Sequence, residues 1–349
     1  MNRQPLWIES LAPRITCDAS QVALELAYEI NRFRYEPEDY SVEAGWGTSF
    51  SSSLSLPPLA YNGLLQQSAQ NHAKEMSLAN YLAHQSILDG RWPNQMARDA
   101  GYALASELPS TSNSIEAIAG GLALADVDQV MKQLGQSSQR DLLLATQRPG
   151  ADFREIGAGY ALKTTSDLDH YWSIQMGYQQ IGSTFLTGLV YDDLNQNGRY
   201  DAGEGLSGIR IDVGPWQTVT GQGGEWSLRV SGGRHTVQAS GNAIGSSQST
   251  TVNVTTKNIE IDFLAQRYPT INFYRRSAWT NQDHVEDINA DGAITPLDAL
   301  LIINELNRDG IKALDSVPTS PFLDANGDAM LTPIDVLLVI NSLNRRTRS

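Results

Sequence analysis

A single cysteine, Cys17, stands among the 349 residues, so no disulfide can form within the chain. No apolar run approaches the ~18 residues that a membrane-spanning helix needs. The opening MNRQPLWIESLAPRITCDAS lacks the continuous apolar stretch of an ordinary signal peptide. Basic residues are scarce: 25 lysines and arginines face 39 aspartates and glutamates, a net charge of −14. Such a surface repels nucleic acid and anionic lipid and attracts cations. No Ser-His-Asp or Cys-His arrangement is legible, and no paired catalytic carboxylates can be located. What is present is an ordinary hydrophobic content, 41 %. The length suits about two to four domains.

Composition divides the chain into a tail at 1–20, blocks at 21–180, 183–265 and 266–345, and a short basic tail at 346–349. The first block reads as helices followed by strands. Helical spacing recurs at 21–34, 58–84 and 114–135, the last interrupted by Gly120-Gly121. The runs IGAGYALK (156–163) and HYWSIQMGY (170–178) read as strands joined by a turn. Glycine, serine and threonine rise in the second block, where about seven short β-rich runs predict a β-sandwich. The third block holds an internal repeat: 287–307 and 324–344 agree at twelve of twenty-one positions with an offset of 37. Each copy is a polar loop and an amphipathic helix. Leu300, Ile303, Leu306 and Leu337, Ile340, Leu343 are expected to form facing stripes.

Three polar loops carry the chemistry. DLNQNGRYDAGE (193–204) places Asp193, Asn195, Asn197, Asp201 and Glu204 at positions 1, 3, 5, 9 and 12, with the Arg199 carbonyl at 7. DINADGAITPLD (287–298) repeats this with Asp287, Asn289, Asp291, the Ala293 carbonyl, Thr295 and Asp298. DANGDAMLTPID (324–335) does so with Asp324, Asn326, Asp328, the Met330 carbonyl, Thr332 and Asp335. Calcium takes six to eight oxygens at roughly 2.3–2.6 Å, and a 12-residue loop delivers them from alternating positions as it curls. Magnesium demands a strict octahedron and keeps its waters, so an all-protein oxygen cage favours calcium. Gly198 and Gly292 fill position 6, where the turn needs positive φ. Ala329 stands there in the last loop, at a cost of about 1–2 kcal/mol. That loop is therefore expected to bind most weakly of about three calcium sites.

Residues 266–345, with two such loops each followed by an LLIIN-x-LN-like helix, resemble a type I dockerin, an EF-hand-like module. The resemblance implies two Ca2+ ions and a cohesin-like partner. Positions 10 and 11, often a hydroxyl pair in cellulosomal members, are Pro296-Leu297 and Pro333-Ile334 here, which points to a noncellulosomal surface partner. The stretch GLVYDDLNQNGRYDAGEGLSGIRIDV with the later TGQGGEWSL resembles the SdrD B-like calcium-binding repeat of bacterial surface adhesins, an Ig-like all-β sandwich used as a spacer. WIESLAPRITC resembles the N-terminal sorting motif of planctomycete-type exported proteins.

The fragments NHAKEM, YLAHQS, EAIAGG, SSQRDLLL, FREIGAGY and YWSIQMG, in this order, resemble the CAP domain (SCP/PR-1-like) over about 160 residues. That family implies an α-β-α sandwich with a cleft of two histidines and acidic residues. His84 falls on the first cleft histidine and Glu116 on the cleft glutamate, with Glu107 a rival for the latter. Gln139 stands where the second histidine is usual. His72 and Glu155 fall on recurrent supporting positions. An amide oxygen is a far poorer zinc ligand than imidazole and no general base. Two readings stay open for His84 and Glu116: a metal or catalytic cleft, or a hydrogen-bonded pair shaping a groove. His170, His235 and His284 read as structural or surface residues, GAGY (157–160) as strand rather than phosphate loop, and GQGG (221–224) as a hairpin turn. The whole predicts a secreted or cell-surface multidomain protein, non-catalytic, with calcium as its folding cofactor. The alternative is an extracellular hydrolase linked to polysaccharide breakdown or CAP-type proteolysis.

Overall fold

The structure, a computed structural model, describes residues 19–50, 55–145, 153–179, 183–195, 197–265, 279–281, 285–314, 321–325 and 330–346. Cys17, the sorting-like segment, His284, Asn326, Asp328 and Ala329 lie outside them. Among the described residues no helix is long and apolar enough to cross a membrane.

The first block runs α1 (Ala19–Tyr35), α2 (Pro37–Glu43), β1 (Ala60–Tyr61), α3 (Gly63–Ala79), α4 (Pro93–Asp99), β2 (Glu116–Gly121), α5 (Val127–Gln136), α6 (Arg140–Leu143), β3 (Glu155–Lys163) and β4 (Asp169–Gly177). Its sheet has the order β1-β3-β4-β2, antiparallel except for the β1–β3 pair. Alternation assigns the two faces. Ile156, Ala158, Trp172, Ile174 and Met176 join one core with Leu26, Ile30 and Phe33 of α1 and Val130, Met131 and Leu134 of α5. On the opposite face lies α3, started by Asn62, whose side chain accepts from the Leu64 and Leu65 amides. Gly157 and Gly159 let it in. A Cβ at either would stand 2.0 Å or 2.2 Å from the α3 backbone at Gln66 or Gln70. The alternating glycines of IGAGY are thus a seat for a helix.

One expectation fails here. Segment 114–135 is not an interrupted helix; 116–121 is the edge strand β2, paired with β4, and helix is confined to 127–136. Small residues such as Ala117, Ala119 and Gly120 satisfy either period, so cross-strand pairing decides. Asp126 then caps α5 by accepting from the Asp128 amide.

The second block is a two-sheet sandwich of β5 (Thr184–Tyr191), β6 (Arg210–Val213), β7 (Trp216–Val219), β8 (Glu225–Val230), β9 (Gly233–Ser240), β10 (Gln248–Val254), β11 (Ile259–Glu260) and β12 (Phe263–Leu264). One sheet has the order β10-β9-β6-β7; the other centres on β5, flanked by β8 and, in parallel, by β11 and β12. The single expected strand at 258–264 is split. Each of the seven expected runs contributes strand, and GQGG falls in the turn between β7 and β8. Leu186 and Val190 of β5 face the sandwich core with Ile211, Trp226 and Phe263. Leu189 and Tyr191 instead join Leu24 and Tyr28 of α1 with Tyr200 and Leu264. All eight residues of β5 are buried, because the first block covers its second face.

The third block contains α7 (Pro296–Asp309), β13 (Lys312–Ala313), β14 (Met330–Leu331) and α8 (Pro333–Arg346), with β13 antiparallel to β14. Its core joins Ile288, Ala299, Ile302, Leu331, Val336 and Val339. Of the expected stripes, Ile303, Leu306, Ile340 and Leu343 pack against this core, Leu300 and Leu337 are exposed at their starts, and Ala299, Ile302, Val336 and Val339 are its buried centre. A capping box sets the phase of α7. Thr295 accepts from the helix amides while Asp298 accepts from the Thr295 amide, and Pro296 occupies the first turn.

Gly159→Ala is expected to lower stability by about 3 kcal/mol, since the added methyl meets helix backbone that cannot step aside. A fall in the urea midpoint at unchanged slope is the measurement.

Candidate functional site

β2 presents Glu116 on the α3 side of the sheet, where it is 1 % exposed. Its Oε1 accepts from the Ser173 hydroxyl at 2.7 Å and the Gln175 amide at 3.2 Å, and lies 2.7 Å from His72 Nδ1 on α3. Its Oε2 lies 3.0 Å from His84 Nδ1, in the loop after α3. Burial alone would raise the Glu116 pKa. The facing His72 and the hydrogen bonds from both histidines overrule it and hold the carboxyl at about 2. For His72, burial pulls downward, but the Glu116 charge and hydrogen bond leave the net shift upward.

His72 and His84 are thus brought together on one carboxylate, and the other predicted cleft residues are not. Gln139 closes the free edge of β2: its amide oxygen accepts from the Ile118 N–H at 2.8 Å and its amide donates to the Ile118 carbonyl at 2.6 Å. Glu155 accepts from Asn62 and Tyr102 near the start of α3. Glu107 accepts from the Tyr178 hydroxyl at 3.0 Å, leaving Glu116 as the cleft acid. His170 stacks on Tyr160, and His235 reaches the Ser231 carbonyl. Ser173 and Gln175 were missed. Their signal was polar residues alternating with Trp172 and Ile174 on an otherwise apolar strand.

Both histidines present Nδ1 to Glu116, so their Nε2 atoms diverge from it. His72 Nε2 is buried without a partner among the described residues, and the His84 side chain is 32 % exposed. This geometry fits a hydrogen-bonded relay better than a transition-metal cage. Among the described residues no three His, Cys, Asp or Glu side chains converge to hold an ion on their own. In the loops, a calcium ion would draw further oxygens from amides and carbonyls.

Two of those loops share one hydrogen-bond skeleton. Asp193 Oδ1 and Oδ2 accept from the amides of Asn197 and Gly198; those of Asp287 accept from Asp291 and Gly292. Position 3 accepts from the amide of position 5, and position 5 from that of position 7, in both. The position-12 carboxylate reaches back to position 2 and to position 9: Glu204 to Leu194 and Asp201, Asp298 to Ile288 and Thr295. In the third loop Asp335 accepts from the Thr332 amide at 2.8 Å. Asp287 and Asp298 are 2 % and 0 % exposed, and no lysine or arginine pairs with either among the described residues. Two such anions, with oxygens for neighbours, fit a hard divalent cation. Asp324 and Asp335 are equally buried.

Loop 287–298 also holds Ala290, at position 4, with φ at 56°, and Gly292 at 86°. A side chain in the left-handed region is strained there too, which the sequence did not disclose.

Residues 285–344 match the Dockerin type I domain family. Domains of that family bind calcium and dock to cohesins. No curated protein matches the chain. Among solved structures it is similar to an outer surface protein from Borrelia burgdorferi, at 18 % identity over 46 % of this chain and 95 % of that one, with a TM-score of 0.32. It is also similar to an extracellular protein containing a SCP domain from Bacillus anthracis str. Ames, at 21 % identity over 35 % of this chain and 34 % of that one, with a TM-score of 0.27. At these scores neither neighbour defines the fold.

Because folding raises the His72 pKa, the His72–Glu116 pair should stabilise the chain fully between about pH 4.5 and 6.5 and lose effect as pH rises through the folded His72 value. Glu116, held at about 2, contributes above its ordinary 4.5 and loses that as pH falls toward 2. In Glu116→Gln, burial acts on His72 alone, and its NMR-titrated pKa should drop below about 6.5. Ala290→Gly should stabilise the third block by about 0.5–1 kcal/mol, strain relief exceeding the added chain entropy; calcium-loaded thermal unfolding reads this.

Proposed function

We propose that this chain is a calcium-binding, non-catalytic modular protein of the cell surface or extracellular space. Its first block, CAP-like, presents a groove floored by His72, Glu116 and His84. The SdrD B-like sandwich supports that block. The dockerin region at 266–345 attaches the whole to a cohesin-like or other surface protein through helices whose first turns carry Leu297, Leu300 and Leu337. The supporting observation is the repeated loop skeleton with buried carboxylates at positions 1 and 12 and no basic partner for Asp287 or Asp298 among the described residues. Three ions are assigned, to 193–204, 287–298 and 324–335. The exchanged order of glycine and alanine in the last two (Ala290 and Gly292 against Gly327 and Ala329) narrows the difference expected between them.

A hydrolytic reading draws on one observation, the orientation of the partly exposed His84 by Glu116, as a general base is oriented. Among the described residues no hydroxyl or thiol hydrogen-bonds to His84, which favours the groove.

Calcium at 287–298, at 100-fold over its Kd, should add about 2.7 kcal/mol to the stability of the third block, apart from what the 324–335 site adds. Asp287→Ala should abolish most of that gain while the first block melts as before. Calorimetry in CaCl2 against EGTA decides: an identical profile in both would end the calcium reading. Retention of an immobilised cohesin only in CaCl2 tests the docking.

A further inference from the structure

We propose that the 193–204 loop is a calcium-dependent clasp, tightening the seam between the sandwich and the first block; this rests on the reading of that loop as a calcium site. The loop directs its non-ligand positions at the neighbouring block. Tyr200, at position 8, is 1 % exposed and packs edge-on against Tyr28 of α1 and Tyr191 of β5, with ring centroids 5.8 Å and 5.7 Å away. The Ala202 amide, at position 10, donates to Glu25 of α1 at 3.0 Å. Arg199, at position 7, pairs with Glu43 of α2, which also holds Arg32 at 3.0 Å.

The surface receiving the loop is acidic. Burial first, and then the charges of Asp201 and Asp126, push Glu25 up to about 8, and burial, Asp126 and Asp201 likewise raise Asp128. Without a cation Asp201 therefore faces Asp128, and a Glu25 held toward its protonated form, across the seam, with Arg199 as the cation the loop supplies. At such separations like charges repel appreciably where water is partly excluded. A divalent ion neutralises two of the loop's charges and fixes the curl that aims Tyr200 and the Ala202 amide. Occupancy of one block thereby sets the rigidity of the other, as a ligand must when it favours one of two arrangements.

Hydrogen exchange on the full chain, in CaCl2 against EGTA, tests this. Calcium should slow exchange in 193–204 and also in residues 24–32 of α1, by about tenfold in each. Tyr200→Phe should behave as wild type. In Tyr200→Ala the loop should still respond and α1 should not. Should that variant fail to fold, Glu43→Gln serves, with the α1 response cut several-fold. Protection of the loop without protection of wild-type α1 would overturn the clasp and leave the calcium site standing. A loop indifferent to calcium would overturn both.

Discussion

A carboxylate taken out of water must be given a proton, a set of dipoles or a cation. This acidic chain buries many, and its architecture follows from how each is satisfied. Glu29 has Arg32 one helical turn away at 2.8 Å. Glu116 has two imidazoles, a hydroxyl and an amide, enough to keep it ionised. Glu260 has Tyr61 and Asn31, both neutral, and Asp262 has the Leu189 amide. With no cation in those contacts, burial and their mutual repulsion push Glu260 well above the ordinary range, and burial pushes Asp262 to about 7. Protonation is the favoured solution there. In the loops at 193–204 and 287–298, positions 1 and 12 already accept backbone N–H groups, which leaves their negative charge without a side-chain cation in those contacts. There a divalent ion would do what arginine does for Glu29.

The same constraint explains why the sandwich is not a detached spacer. Strand β5 is buried on both faces, and the second face is covered by α1 and β1. Asn258 donates to the carbonyls of Pro58 and Arg154, and Ser227 donates to that of Tyr61. Tyr61 and Asn31 reach Glu260. Polar groups of both blocks therefore depend on one another for partners, and separating them would leave donors and acceptors unpaired as well as exposing apolar surface.

How much of this the sequence disclosed depends on whether the signal was local. The acidic loops were legible because ligand spacing and position-6 glycine are local. The strands of the sandwich were legible because turn residues separate them. The pairing of Glu116 with His84 came from ordered motifs, and His72 from the same source, but the rejection of Gln139 did not. A glutamine that caps a sheet edge and one that lines a cleft look alike until the strand is known to be an edge. β2 itself was misread because alanine and glycine carry no period. In the third block the exposure of Leu300 and Leu337, the first residue of each expected stripe, was not legible while Thr295 and Asp298 were read only as ligands. They also form the capping box that fixes where α7 begins.

That double use gives the repeated unit its coherence. In TPLD and TPID the threonine and aspartate fall on positions 9 and 12 of the proposed calcium loops and, in α7, serve as N-cap and N3; the Thr332–Asp335 contact repeats this in the second copy. An ion at the loop therefore holds the first turn of the helix, whose amide donors would otherwise lack partners. The helix in turn holds Asp298 in place for the ion. Loop and helix thus share residues in the repeat, whereas the loop at 193–204 has no helix after it and packs Tyr200 against Tyr28 and Tyr191. Its position-12 residue is Glu204, a methylene longer, with no helix to cap, and it accepts from the Leu194 and Asp201 amides.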